Sequence, residues 1–157
     1  MSYLTQLFDL VGELARRRYR VGERAFASLG LNHTEARLLT LLDLHGGTAT
    51  QEALSNMLTI DRSNAGRALK KLEQAGYVER RRDAGDGRTN EVHTTDRGRS
   101  CTADIVKLRG QIAQKFFGEL TEADADKVIA LLQPAMRSGE PVAKSCSFNV
   151  SRDSERA

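Results

Sequence analysis

Apolar residues recur at helical spacing along most of this chain and change to short alternating runs only around residues 77–94. Over residues 2–28, Leu4, Leu7, Phe8, Val11, Leu14 and Ala15 keep the period of one long helix, which Gly30 ends. Thr34, or Asn32 with Glu35 in capping-box spacing, starts a second helix that runs through Leu38, Leu39, Leu41 and Leu42 to His45. Gly46-Gly47 breaks it, and Thr48-Ala49-Thr50 suits a short strand. Gln51 to Leu58 is a short helix with Ala53, Leu54, Met57 and Leu58 inward, joined through Thr59-Ile60 to a second helix over 62–75. Thr95 opens a long helix to about Gly118 carrying Ile105, Leu108, Ile112, Phe116 and Phe117, with Gly110 expected to allow a bend or a close helix contact. Thr121-Glu122-Ala123-Asp124 then starts a last helix with Val128, Ile129, Leu131 and Leu132, which Pro134 is expected to kink. The segment from Gly139 has little to bury and is expected to be disordered.

The helix over 62–75 carries the chemistry. Asp61 or Thr59 can cap it, because a short side-chain oxygen accepts from the free amides of a first turn. Ala65, Leu69 and Leu72, with Ala68 beside them, share one stripe and must face a core. At about 100° per residue, Ser63, Arg67, Lys70 and Gln74 fall on the opposite side, with Asn64 as an accessory. That stripe holds two cations, a hydroxyl and an amide but no carboxylate, the groups that pair with phosphates and base edges in the major groove of duplex DNA. An ordinary solvated face mixes signs; the span 62–82 instead carries seven cations (Arg62, Arg67, Lys70, Lys71, Arg80, Arg81, Arg82) against Glu73 and Glu79.

After Gly76, residues 77–82 and 90–94 read as two strands joined by a turn rich in Asp and Gly. This hairpin presents Arg88 at its tip for a narrow minor groove and Arg80, Arg81 and Arg82 along its arm for phosphates. Asp83 and Asp86 do not form a calcium loop, since glycines stand at 85 and 87 where ligands are needed. The expected fold is therefore mainly α with a small β-hairpin wing: a winged helix-turn-helix at 31–99, flanked by helices at 1–30 and 100–138. Those flanking helices carry apolar stripes too long to fold onto so small a domain, so they are expected to form a dimerisation region, making the protein a homodimer that selects an inverted repeat.

Composition narrows the alternatives. The chain has 157 residues, 39% hydrophobic, 5% aromatic and without Trp, which suits a core built from Leu and Ala. A net charge of +3 is mild for a nucleic-acid binder, so the argument rests on where the cations cluster. No apolar run is long enough to span a bilayer and the N-terminal residues lack a signal pattern, so a cytoplasmic protein without membrane association is expected. Cys101 and Cys146 make neither a disulfide framework nor a metal set, and His33, His45 and His93 are scattered. With no phosphate loop, nucleophile–base pair or paired carboxylates of evident purpose, neither enzymatic activity nor a cofactor is expected.

These stretches resemble the MarR (multiple antibiotic resistance regulator) family of winged helix-turn-helix transcription factors. The resemblance lies in Leu31-Asn32-His33-Thr34-Glu35-Ala36-Arg37-Leu38-Leu39, Gly47 to Leu58, Asp61-Arg62-Ser63, Leu72 to Arg80, the wing signature Asp86-Gly87-Arg88 and Thr95-Asp96-Arg97-Gly98. It covers about residues 4–138, with Thr94 departing from the apolar residue usual at the end of the second wing strand. It implies an intertwined dimer, most often a repressor, released from DNA by small aromatic or anionic effectors bound between the dimer helices and the winged domain. Arg18, Tyr19, Phe26, His33 and Arg37 are the candidate wall for such a ligand; the competing reading makes Phe26 core and the arginines solvated or DNA-facing. A cysteine-based redox switch is the rival mode of control. Cys101 near a helix N-terminus, with Arg97 and Arg99 close by, would be the reactive thiol and Cys146 its resolving partner. Outside regulation by DNA binding, two readings compete: a winged-helix module for protein contact, which would want an apolar or acidic outward stripe, and a chromosome-coating protein, which would want basic tails.

Overall fold

The computed structural model describes residues 2–82 and 90–137. In chain order it has α1 (Tyr3–Ala27), α2 (His33–Leu44), β1 (Thr48–Thr50), α3 (Gln51–Leu58), α4 (Arg62–Gln74), β2 (Val78–Arg82), β3 (Asn90–Thr94), α5 (Asp96–Phe117) and α6 (Glu122–Leu132), closed by a 3-10 turn over Gln133–Met136. The three strands form an antiparallel sheet in the order β1-β3-β2, with Ala49 opposite Val92 and Arg80 opposite Val92 on the other side.

The helix starts follow local chemistry. Asn32 accepts from Glu35 N–H while the Glu35 carboxylate takes Asn32 N–H, a reciprocal capping box; Thr121 and Asp124 repeat it at α6. Asp61, not Thr59, caps α4, its Oδ1 accepting from Asn64 N–H at 2.8 Å. Thr59 instead adopts the left-handed conformation (φ 55°) that turns the chain between α3 and α4. The buried Ser55 hydroxyl donates to Ile60 O at 2.7 Å across that turn and so fixes α4 relative to α3.

Leu38, Leu39 and Leu42 of α2, Leu54 of α3, Leu69 and Leu72 of α4, Val92 of β3 and Ile105 of α5 are the large side chains at the centre of the core. Each contributes about 1.5–3 kcal/mol by leaving water. The core thus belongs to the winged domain and the first turns of α5, joined by Phe26 near the end of α1, which is buried in it as well as facing a cavity between α1, α2 and α5. Elsewhere the apolar stripes are uncovered: Tyr3, Leu4, Phe8, Leu10 and Val11 of α1, and Val128, Ile129 and Leu131 of α6, are exposed. Among the described residues, helix α6 has its substantial contacts only with the 3-10 turn after it, which holds Pro134; α6 ends there rather than kinking. Gly110 does not interrupt α5, and a Cβ at Gly110 would meet nothing within 4 Å.

The junction between wing and α5 is tight. The Thr95 hydroxyl lies 2.7 Å from Gly76 O and 3.1 Å from Tyr77 O, sharing its proton between them, and accepts from Gly98 N–H at 3.1 Å. Beside it, Thr94 is 8% exposed and its Oγ1 is buried without a hydrogen-bond partner among the described residues. A buried hydroxyl left unpaired is costly, whereas a methyl group of the same shape is not. Thr94→Val is therefore expected to raise stability by about 1 kcal/mol, seen as a higher urea midpoint with an unchanged slope.

Candidate nucleic-acid interface and the adjoining cavity

Helix α4 presents two unlike faces. Ala65, Ala68, Leu69 and Leu72 are buried, while Ser63, Arg67, Lys70 and Gln74 are all exposed and Asn64 is half-buried. The other cations nearby are engaged. Arg62 pairs with Glu52 of α3, and Lys71 lies 3.8 Å from the buried Glu35 carboxylate. Arg67 and Lys70 have no ion pair among the described residues, so their charges are available to a polyanion.

The arm of the wing is less uniform than the sequence suggests. Arg80 folds back on α4: its Nη2 donates to Gly66 O at 3.2 Å, and its Nε lies 3.5 Å from Glu73 Oε2, an ion pair without hydrogen-bond alignment. Its side chain is only 25% exposed. The expected phosphate role of Arg80 gives way to a clasp between strand and helix, answered by the exposed Glu73. Arg81 is exposed and pairs with Glu79, with Glu91 opposite it on β3. Arg82 ends β2. Arg88, like Cys146, lies outside the described residues.

A cavity of about 390 Å³ opens between α1, the start of α2 and α5. Arg18, Gly22 and Phe26 line it from α1, His33 from α2, and Val106, Arg109, Gly110, Ile112, Ala113, Phe116 and Phe117 from α5. Three of the five sequence candidates for an effector wall are thus brought together. Tyr19 is not on the wall but stacks against the His33 ring (centroids 4.6 Å apart), and Arg37 is exposed on α2. The α5 contributors were missed because their helical period reads as a plain apolar stripe; only Arg109 and Phe116-Phe117, recurring within two turns, hint at a mixed lining.

His33 is held below the ordinary imidazole pKa, first by burial and then by Arg37 and Arg18, with Glu23 opposing them and Arg109 adding to them. Its Nδ1 has no hydrogen-bond partner among the described residues, and its backbone N–H donates to Glu23 Oε2 at 3.1 Å. Gly22 makes room for the ring: a Cβ there would sit 3.3 Å from Nδ1.

Cys101 departs from the expected thiolate. It is 8% exposed, and burial pushes its thiol above the usual value, outweighing the hydrogen bond from Tyr77 and the charge of Arg97. Arg99, expected to help, is taken up by Asp96. The helix N-terminus does not decide this pKa because the side chain packs into the core beneath it. Among the described residues no helix is long and apolar enough to cross a membrane.

The MarR family profile matches residues 29–89. The uncharacterized HTH-type transcriptional regulator YdgJ of Bacillus subtilis (strain 168) is 33% identical over 131 residues, covering 83% of this chain and 79% of its own length. YkoM of the same organism, another HTH-type transcriptional regulator, is 31% identical over 134 residues, covering 78% and 86%. Among solved structures, a mutant MarR of E. coli complexed with operator DNA has a TM-score of 0.72 at 22% identity, covering 85% of this chain and 95% of that one. The organohalide-sensing regulator RdhR, bound to 2,4-dichlorophenol, has a TM-score of 0.78 at 12% identity, covering 94% and 90%. These two likenesses concern the fold. The kinship in sequence goes further: the chain belongs to the MarR family of helix-turn-helix transcriptional regulators, which are DNA-binding proteins and not enzymes.

Proposed function

We propose that the chain acts in the cytoplasm as a homodimeric repressor that binds an inverted-repeat operator and leaves it when a small aromatic or anionic effector occupies the α1–α2–α5 cavity. The observation that carries the DNA reading is the outward face of α4, where Arg67 and Lys70 stand exposed between Ser63 and Gln74 and have no ion pair among the described residues. In the division of labour we infer, Ser63, Asn64, Arg67, Lys70 and Gln74 read the major groove, Arg81 and Arg82 hold phosphates, and Arg88 enters the minor groove. Residues 31–99 form the reading domain. Residues 1–30 and 100–138 form the dimerisation region, supported by the apolar faces that α1 and α6 leave uncovered. Such faces on a single chain favour a second copy.

The effector reading rests on the cavity, an apolar chamber with Arg18 and Arg109 in its wall. That a protein of this fold, RdhR, is known bound to 2,4-dichlorophenol supports an aromatic ligand. Selection of bound duplexes from a random pool in near-physiological salt tests the DNA reading. Enrichment of an inverted repeat is expected. Binding without enrichment would favour a chromosome-coating protein, and no binding a module for protein contact.

A further inference from the structure

We propose that His33 is the proton-accepting group of the α1–α2–α5 cavity, so that an aromatic monoanion is bound together with one proton and its affinity rises as pH falls. This rests on the reading of the cavity as an effector site and adds to it the charge rule by which a ligand is chosen. His33 is the first residue of α2, where the helix presents its positive end. Around its ring stand Arg18, Tyr19, Glu23 and Phe26 from α1, Arg37 from its own helix and Arg109 from α5. Glu23 is the single anion among them, and one of its oxygens is occupied by the His33 backbone N–H. These surroundings favour a neutral imidazole, with Nδ1 left without a hydrogen-bond partner among the described residues.

An arene carboxylate in the cavity reverses this balance. Its ring takes the place of water against Phe26 and Phe116, and its negative charge enters among the cations of the wall. A proton passes from solvent to the basic ring nitrogen of His33, giving an imidazolium beside the carboxylate; no other bond forms or breaks. The sign of the pH dependence follows. The empty-cavity pKa of His33 lies below its ordinary value, and the liganded pKa lies higher. Below the first, His33 is charged with or without ligand and affinity is greatest. Between the two, binding takes up a proton and affinity falls as pH rises. Above the second, the imidazole stays neutral and affinity is least. A neutral arene should show none of this.

The test compares benzoate with its neutral isostere benzamide on the full-length protein from about pH 5.5 to about pH 8, where benzoate keeps its charge and imidazole titrates. The ring proton of His33 is followed by NMR with and without each compound. Benzoate is expected to bind at least about threefold more tightly at the acid end and to raise the His33 pKa; each unit of rise corresponds to about tenfold in affinity. Benzamide is expected to bind with no slope. His33→Gln, which keeps a polar side chain but cannot titrate, should bind benzoate at every pH about as weakly as the unaltered protein does at the alkaline end, without a slope. Benzoate binding that is flat in pH, or a His33 titration unmoved by it, would overturn the proposal while leaving the effector site standing. An equal slope for benzamide would overturn it too, since ligand charge would then be irrelevant. If neither compound reaches the cavity, the effector reading itself falls.

Discussion

Gly98→Ala is expected to destabilise the protein by about 3 kcal/mol, a fall of roughly 10 °C in melting temperature for a domain of this size. Gly98 lies in the first turn of α5, and a Cβ there would sit 2.1 Å from Tyr77 O and 2.9 Å from Thr94 Cγ2. The first obstacle is backbone, held at the turn between α4 and β2 by the Thr95 hydroxyl and the Thr95 N–H. It cannot swing aside as a long side chain would, so either α5 or the wing must move. Gly110→Ala in the same helix is the contrast. There the added methyl meets nothing within 4 Å, and alanine's better helix propensity, about 1 kcal/mol, should leave stability unchanged or raised. Urea denaturation of both variants at one protein concentration decides the matter: equal losses would mean that the close approach at Gly98 is not what limits it.

The second large effect concerns DNA. Arg67→Ala is expected to lower operator affinity by about 1–3 kcal/mol and to relax base preference at one position in each half-site. Arg81→Ala is expected to weaken all sequences alike and to flatten the dependence of affinity on salt, as the loss of one phosphate contact does. The comparison is informative because Arg67 has no ion pair among the described residues to lose, and Arg81 is exposed, paired with Glu79 and opposite Glu91. Arg80→Ala belongs to neither class: removing the clasp on Gly66 and Glu73 should act first on stability. Titrations of each variant against operator and scrambled duplex, repeated at several salt concentrations, separate these outcomes. If Arg67→Ala and Arg81→Ala behave identically, the division between base reading and phosphate holding is wrong.

Where structure is set by neighbours in sequence, the chain could be read directly. The two capping boxes, the positive-φ Gly76 after α4 and the inward stripe Ala65-Leu69-Leu72 each depend on residues within a few positions of one another, and each stands as its spacing implies. What depends on distant partners was not legible. Nothing in a run of three arginines tells that Arg80 turns inward to a glycine carbonyl fourteen residues earlier while Arg81 points out. The cavity likewise joins α1 to α5 across some eighty residues, so its α1 and α2 walls were recognised and its larger α5 wall was not. Cys101 shows a local rule losing to a tertiary one, since burial of the thiol outweighs the hydrogen bond from Tyr77 and the nearby charge of Arg97.

The single hydroxyl of Thr95, bound to the end of α4, the start of the wing and the start of α5 at once, bears on how such a protein can be re-engineered. Exchanging residues 62–74 with those of a relative leaves this fastening untouched, because Gly76, Tyr77, Thr95 and Gly98 all lie outside them. A chimera joined between Tyr77 and Thr95 would instead set a foreign α5 start against this turn, so a cassette meant to carry the reading helix with its mount runs from α4 through Gly98.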